Sequence, residues 1–283
     1  MIFWLNGVER SVDEPQLSPL DRGFTLADGL FETMRASNGV IFRLDAHLDR
    51  LCTGARVLGI PIPPTLRDHV ASSARAAFAA GYVHASVRLT VTRGPAPPGL
   101  APPPHPAPTI ALAISPLSLP ETPRPIVAAM ASARRNEYAL TAGIKTLSYT
   151  ESVLALAQAK AAGADDAIFL DTAGHVSEAT ASNLFALIDD TLVTPALSCG
   201  VLPGITRAVV LELAQTLGID TSERELDEPE LALATELFLT SSIREIAPLV
   251  RIETTAIGSG RCGPSTQKLI DAYAALVRDE CKP

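Results

Sequence analysis

Eight of the fifteen residues from Gly94 to Pro108 are proline, and four more prolines fall between Pro116 and Pro125. Proline lacks a backbone N–H and fixes φ, so neither stretch can lie inside a helix or a central strand. The first stretch is a loop of polyproline character. It reads either as a solvated connection or as a stiff loop at a site mouth or subunit contact. The second reads as a linker. The chain of 283 residues thus divides into an N-terminal α/β domain over 1–115, a linker over 116–124 and a C-terminal domain over 125–283.

The flanking segments carry regular patterns. Asn6-Gly7 and Asn38-Gly39 each separate short apolar runs, which predicts two tight hairpins. Asp45 is the expected N-cap of a helix with Leu48, Leu51, Ala55 and Leu58 on one face, closed by Gly59 and Pro61. A second helix is expected from Thr65 to Ala80. Ser86 to Thr92 alternates as a strand, with Val87, Leu89 and Val91 on one face and Arg88, Thr90 and Thr92 on the other. In the second half, helices are expected over 151–162, 206–217 and 266–277, with strands over 109–114, 167–170, 183–188, 191–194 and 237–239. No internal repeat is visible. Strands and helices mixed without regular βαβ alternation indicate an α+β (mixed α/β) fold in two parts.

Charge and cysteine usage narrow the function classes. The net charge of −8 argues against a nucleic-acid or anionic-membrane surface. No apolar run reaches the roughly 18 residues a membrane span needs. Met1 to Asn6 has no basic segment before an apolar run, so no signal peptide is expected. Cys52, Cys199, Cys262 and Cys281 form no Cys-x-x-Cys, which argues against a thioredoxin-type motif or a cysteine-based zinc site and for reduced thiols in the cytoplasm. His47, His69 and His84 form no i, i+4 pair, so no metal is expected.

The lysines are Lys145, Lys160, Lys268 and Lys282. Only Lys145 stands in a small, largely uncharged neighbourhood, Thr141 to Tyr149. Poor hydration there would favour the neutral amine and make it a nucleophile or Schiff-base former, against the alternative of a solvated loop lysine. Downstream, Glu178 precedes an apolar strand, and Leu202-Pro203-Gly204-Ile205-Thr206 opens a helix whose free N–H groups suit a phosphate.

Together, Glu178-x-Thr180-x-x-Asn183-Leu184-Phe185, Leu192-x-Thr194 and Leu202-x-Gly204-Ile205-x-Arg207 resemble the signature of the class IV, or fold-type IV, pyridoxal-phosphate-dependent aminotransferases. Four further blocks agree: Leu20 to Phe24 with Gly29 to Arg35, Phe42 to Leu51, Leu239 to Pro248, and Gly258 to Pro264. The resemblance implies a two-domain D-amino-acid aminotransferase-like fold. It places pyridoxal 5′-phosphate between the domains, makes the C-terminal domain the cofactor-binding one, and implies a homodimer. It assigns Lys145 the Schiff base and the proton transfer between Cα and C4′. It assigns Glu178 the pyridine nitrogen, Tyr149 the phenolic oxygen and Leu202 the ring face. Arg50, Ile205, Thr206 and Ser242 would hold the phosphate, with Ser241 a neighbouring candidate. Phe31, Thr33 and Arg88 would meet the substrate.

The resemblance implies a transaminase working between an amino acid or amine donor and a 2-oxo acid acceptor. Aminodeoxychorismate lyase and D-amino-acid transaminase are the alternatives within the family. Thr33 fits the lyases as well as a transaminase pocket. Thr92-Arg93-Gly94 is present, but the residues that follow, Pro95 to Leu100, lack the arginine that lyases and D-amino-acid enzymes commonly carry there. A cofactor-free binding module would require Lys145 or Glu178 to be missing, and both are present.

Overall fold

The computed structural model describes residues 1–11, 13–14 and 17–282 and divides into two compact units. The first comprises residues up to Leu119, Lys145–Ser148 and Val277 onward; the second comprises Pro120–Ile144 and Tyr149–Leu276.

In the first unit, strands β1 (Ile2–Leu5), β2 (Val8–Arg10), β3 (Gly29–Ser37), β4 (Val40–Ile41), β5 (His84–Thr92) and β6 (Thr109–Pro116) form an antiparallel sheet in the order β2-β1-β6-β5-β3-β4. Both Asn-Gly turns have positive φ at both residues, 50° and 80° at Asn6-Gly7 and 51° and 78° at Asn38-Gly39, as tight hairpins require. Helices α1 (Arg22–Leu26), α2 (Leu44–Leu58) and α3 (Leu66–Ala79) complete the unit. Val87, Leu89 and Val91 of β5 are fully buried, whereas Arg88 and Thr90 are half-buried on the other face. Each such buried aliphatic side chain contributes about 1.5–3 kcal/mol.

Asp45 does not cap α2. The helix begins at Leu44 after a left-handed Arg43, and Asp45 lies in its first turn, where its carboxylate pairs with Arg67 at 2.7 Å. A carboxylate still favours the positive helix end from that position, but as a charge rather than as a cap.

The proline-rich segment leaves the sheet where β5 and β6 part, after Thr92↔Thr109. It is anchored from α1. The Arg22 guanidinium donates to the carbonyls of Gly99, Leu100 and Ala101 at 2.9, 3.0 and 3.4 Å, while its Nε holds Asp28 at 2.7 Å. Asp21, fully buried, accepts from Gly23 N and from Thr109 Oγ1. The loop is therefore tied by its own carbonyls, the groups proline retains.

In the second unit, β7 (Ile126–Arg135), β8 (Asp166–Asp171), β9 (Val176–Ala179), β10 (Asn183–Ile188), β11 (Thr191–Pro195), β12 (Thr221–Arg224), β13 (Glu236–Ser241) and β14 (Glu245–Ile252) run in the order β12-β11-β10-β13-β14-β7-β8-β9, and β15 (Thr255–Ala256) pairs with β14. Pairings β11–β12, β14–β7 and β7–β8 are parallel and the rest antiparallel. The unit also holds helices α4 (Thr150–Ala161) and α5 (Ile205–Thr216), a short 3₁₀ turn at Leu197–Cys199, and α6 (Pro264–Glu280) as far as Leu276. The core joins Ile168, Leu184, Leu237, Leu239 and Leu249, and the rings of Phe185 and Phe238 stack at 5.0 Å. Strand β7 has no counterpart in the sequence expectations. Its run Ile126-Val127-Ala128-Ala129-Met130-Ala131 is alanine-rich and carries little intrinsic strand signal. Parallel neighbours on both sides make it a strand. No helix among the described residues is long and apolar enough to cross a membrane.

Gly94 forms the neck of the proline loop. Its φ is +88°, and a Cβ there would stand 1.8 Å from the Ala107 carbonyl oxygen. Gly94→Ala is expected to destabilise the protein by about 1–3 kcal/mol from the backbone conformation alone, with the clash adding to it. A lowered urea midpoint checks this; an unchanged midpoint would show that the neck yields.

Candidate active site

In the first unit the candidate residues gather along β3. The segment carrying Lys145 lies against this strand: Phe31 N donates to Lys145 O at 3.1 Å, and Leu147 N donates to Gly29 O at 3.0 Å. Gly29 permits the approach, because a Cβ there would meet Val91 O at 2.5 Å and Leu147 Cδ1 at 2.8 Å. Lys145 Nζ lies 4.3 Å from the centroid of the buried Phe31 ring. The Arg88 guanidinium carbon lies 3.4 Å from the same centroid, and Arg88 Nη1 is 3.4 Å from Thr33 Oγ1, its cross-strand neighbour. Lys145, Arg88, Phe31 and Thr33 thus form one cluster, with two cations against one aromatic ring.

Glu32 points to the opposite face of β3 and is fully buried. Arg50, from α2, grips it with Nε on Oε1 at 2.8 Å and Nη2 on Oε2 at 2.6 Å; His47 Nδ1 reaches Oε2 at 2.8 Å. Burial pushes the Glu32 carboxyl up, but the hydrogen bonds from His47 and Arg50 and the charge of Arg50 outweigh it and hold the group ionised below its ordinary range. Burial lowers His47 against the pull of Glu32, and the nearby charges of Arg50 and Lys145 lower it further. His47 is therefore neutral, and an acceptor-only carboxylate requires its proton on Nδ1. Arg93, the second arginine of β5 and its loop, is committed elsewhere. It holds Asp28 through Nε at 2.7 Å and Nη2 at 3.1 Å, and donates to the carbonyls of Leu58 and Gly59.

In the second unit Glu178 sits on β9. Its Oε2 accepts from Leu202 N at 3.0 Å and from Asn183 Nδ2 at 3.3 Å, and Arg135 Nη2 stands 3.8 Å from Oε1. Asn183 Nδ2 also donates to Leu202 O at 2.9 Å, and a Cβ on Gly204 would meet Asn183 Oδ1 at 1.9 Å. The two signature segments therefore interlock through one asparagine and one glycine. After Gly204 helix α5 opens with Ile205 and Thr206, and no side chain caps its end. Its outward N–H groups make an anion cradle. Ser241 and Ser242 lie at the β13–β14 turn, closed by Arg244 N on Ser241 Oγ at 3.2 Å. Tyr149 occupies the N-cap position of α4.

Several supporting residues lie inside or beside the signature blocks without a role assigned from sequence. Asp166, fully buried, accepts from Thr180 N and Thr180 Oγ1 and pairs with Arg244 Nη1 at 2.6 Å, tying the turn after Glu178 to the serine turn. Arg207 reaches Pro195 O at 3.1 Å and Glu223 at 2.6 Å, anchoring α5. Glu32 carries the one local signal that would have found such a residue: a lone acid in the apolar run Leu30 to Met34.

The second-unit geometry fits pyridoxal phosphate. An uncapped helix end suits a phosphate, and beside it stands a carboxylate already oriented by a backbone amide, as a protonated ring nitrogen requires. Residues 29–252 match the amino-transferase class IV family, and the chain belongs to it. It is 36% identical over 277 residues to a Methanocaldococcus jannaschii protein provisionally named a branched-chain-amino-acid aminotransferase, covering 96% of this chain and 95% of that one. Among solved structures, 4-amino-4-deoxychorismate lyase from Pseudomonas aeruginosa superposes with a TM-score of 0.85 at 33% identity, covering 98% of each chain. The T.th. branched-chain amino acid aminotransferase, solved with pyridoxamine 5′-phosphate, gives 0.90 at 28% identity, covering 100% of this chain and 95% of the other. The fold is thus that of fold-type IV aminotransferases, and the chain is an enzyme of the class IV aminotransferase type.

The His47 environment generates a pH prediction. A histidine kept neutral in the fold leaves the unfolded chain binding more protons below the ordinary value of 6.5, so stability falls as pH drops through that range. His175, raised by its bond to Asp171, acts with the opposite sign. The difference in melting temperature between wild type and His47→Gln should therefore shrink as pH goes from 7 to 5. A constant difference would show that His47 does not titrate between the states.

Proposed function

We propose that the protein is a pyridoxal-phosphate-dependent transaminase that exchanges an amino group between an amino acid of the branched-chain type and a 2-oxo acid. The observation that carries this reading is the Glu178 carboxylate, fixed by Leu202 N–H next to the uncapped start of α5. When bound, pyridoxal phosphate supplies the electron sink that acidifies the proton at the substrate Cα. Lys145 would hold the cofactor, and its Nζ would take and return the proton at the substrate Cα. Glu178 keeps the proton on the ring nitrogen, and its bonds from Leu202 and Asn183 keep it an acceptor. Ile205 N–H, Thr206, Ser241 and Ser242 bind the phosphate together with Arg50, whose guanidinium is oriented by Glu32. Leu202 would pack on the ring, and Tyr149 would reach the phenolic oxygen.

On the substrate side, Phe31 offers an apolar wall for an aliphatic side chain, and Arg88, stacked on it, offers a cation for a carboxylate. The branched-chain aminotransferase names of relatives at 28–36% identity support this donor class. The working form is a homodimer in the cytoplasm; four free thiols suit a reducing compartment. A second reading, aminodeoxychorismate lyase, has one observation in its favour: the lyase structure is closer in identity, at 33%, than the T.th. aminotransferase, at 28%. The deciding experiment is a panel of branched-chain and other amino donors with 2-oxoglutarate or pyruvate, run beside an assay for p-aminobenzoate and pyruvate release from aminodeoxychorismate. Release without transfer would replace the first reading by the second.

Two substitutions test the assignments. Purified protein should absorb as a lysine-bound pyridoxal and Lys145→Ala should lose both that band and turnover; near-normal transfer without added amine would remove Lys145 from its role. Arg88→Ala should lower kcat/KM for the 2-oxo acid by the equivalent of roughly 1.5–3 kcal/mol, the worth of a hydrogen bond to a charged group. It should leave the half-reaction of a carboxylate-free amine nearly intact. Equal losses on both would mean that Arg88 serves only to support Phe31.

A further inference from the structure

The second unit holds a set of metal-binding side chains that the proposed reaction does not use. Asp171 ends β8, His175 immediately precedes β9, and Cys199 closes the 3₁₀ turn at Leu197–Cys199. One donor atom from each lies within 4.8 Å of the others, and His175 Nδ1 is 3.1 Å from Asp171 Oδ2. The turn of three residues between Asp171 and His175 is fixed at both ends: His175 N donates to Asp171 Oδ1 at 2.8 Å, and Asp171 N donates to His175 O at 2.8 Å. We propose that Asp171, His175 and Cys199 bind a divalent cation of the zinc class.

Three properties of the cluster carry this inference. The first is the donor set: one thiol, one imidazole and one carboxylate suit a borderline-soft ion and not the hard, all-oxygen preference of calcium or magnesium. The second is the spacing. Tetrahedral zinc with bonds of about 2.0–2.3 Å brings its ligands to about 3.3–3.6 Å from one another, so the Asp–His pair already stands near that geometry and the thiol needs a modest contraction. The third is what stands behind the histidine. Glu225 Oε2 and Asp227 Oδ1 stand 3.8 and 3.9 Å from His175 Nε2, beyond hydrogen-bond distance but on the side where an exposed carboxylate could swing in as the outer partner of a metal-bound imidazole. Asp171 and Cys199 are buried, whereas the His175 side chain is 25% exposed, which gives an ion a way in and a solvent molecule the fourth position.

Linear spacing hides this site, because it needs no cysteine pair and no histidine pair. Its position gives it a structural meaning. His175 lies three residues before Glu178, and Cys199 lies three residues before Leu202, whose N–H holds Glu178. An ion shared by His175 and Cys199 would cross-link the two segments at the base of that contact. Binding displaces two protons, that of the Cys199 thiol to solvent and that of His175 Nδ1, which leaves the nitrogen facing Asp171 so that the ring keeps its N–H on Nε2; no oxidant or reductant is involved.

The test uses the cofactor-loaded protein stripped with a chelator and titrated with Zn²⁺ by calorimetry, and with Co²⁺ as a spectroscopic probe of thiolate ligation. One equivalent of Zn²⁺ should bind and raise the melting temperature, and Co²⁺ should give a sulfur-to-metal charge-transfer band. Cys199→Ala should lose the band and weaken Zn²⁺ by more than about 100-fold, because losing a ligand exceeds the 10–100-fold typical of losing an outer partner. Asp227→Asn combined with Glu225→Gln should weaken it by about 10-fold. Should Cys199→Ala fail to fold, His175→Gln, in a half-exposed turn, takes its place with the same expected loss of Zn²⁺ affinity. No stoichiometric binding to the wild type would overturn the proposal. So would undiminished binding or a retained band in the variant, which would place the ion at Cys52, Cys262 or surface carboxylates.

Discussion

The amide of Asn183 is the contact on which the second-unit site depends. A neutral side chain with two donors and one acceptor group spans Glu178, the Leu202 carbonyl and the space beside Gly204. It joins the start of β10 to the loop before α5, which are 19 residues apart in sequence. Neither a carboxylate nor an aliphatic side chain can replace it. An aspartate would repel Glu178 and lose both donated bonds, and a leucine would leave Glu178 with the Leu202 amide alone and the Leu202 carbonyl without this donor, at a cost of about 1–3 kcal/mol. The glycine at 204 follows from the same geometry, not from backbone conformation. Its φ of −70° is open to any residue, and only the proximity of Asn183 Oδ1 excludes a side chain.

The first unit solves a different problem, that of orienting a cation from within a core. Arg50 and His47 both come from α2, three residues apart on one helical face, and both converge on Glu32. A buried acid of this kind contributes little net stability compared with an apolar replacement, but removing one partner alone costs about 3–5 kcal/mol. The arrangement is therefore rigid more than it is stabilising. A guanidinium held this way has its rotamers ordered before any ligand arrives, which is what the phosphate role proposed for Arg50 would use.

Much of this was legible in sequence. The Asn-Gly hairpins, the alternation of β5 and the helix endings at Gly59, Gly163 and Gly218 follow from local rules that the fold obeys. The strand over 183–188 appears with the bounds its apolar run predicts. What escaped was set by distant contacts. Alanine-rich β7 is a strand because of the parallel strands beside it. Asp45 looks like a cap, yet α2 starts one residue earlier, and its carboxylate meets Arg67 from the next helix. The site was legible as motif positions, while the couplings between them, such as Asp166 to Arg244 across 78 residues, carry no local signature.

The two arginines of the β5 end show how geometry discriminates where sequence does not. Arg88 and Arg93 are both basic residues ahead of the proline loop, and either is a candidate for a carboxylate. Arg93 is held by both oxygens of Asp28 and by two backbone carbonyls, so all three of its nitrogens are engaged in fastening α1, α2 and the loop neck. Releasing it to a ligand would leave Asp28 and two carbonyls to find new partners. Arg88 instead has its guanidinium carbon 3.4 Å from the Phe31 centroid and its Nη1 3.4 Å from Thr33 Oγ1, contacts of a different kind from the carboxylate pair that fixes Arg93. A planar cation stacked on an apolar ring can turn its edge to a carboxylate without giving up the stack. On the proposed transaminase reading, Phe31 and Arg88 would present aliphatic and charged recognition side by side, for an apolar donor and an acidic acceptor that use the same pocket in turn.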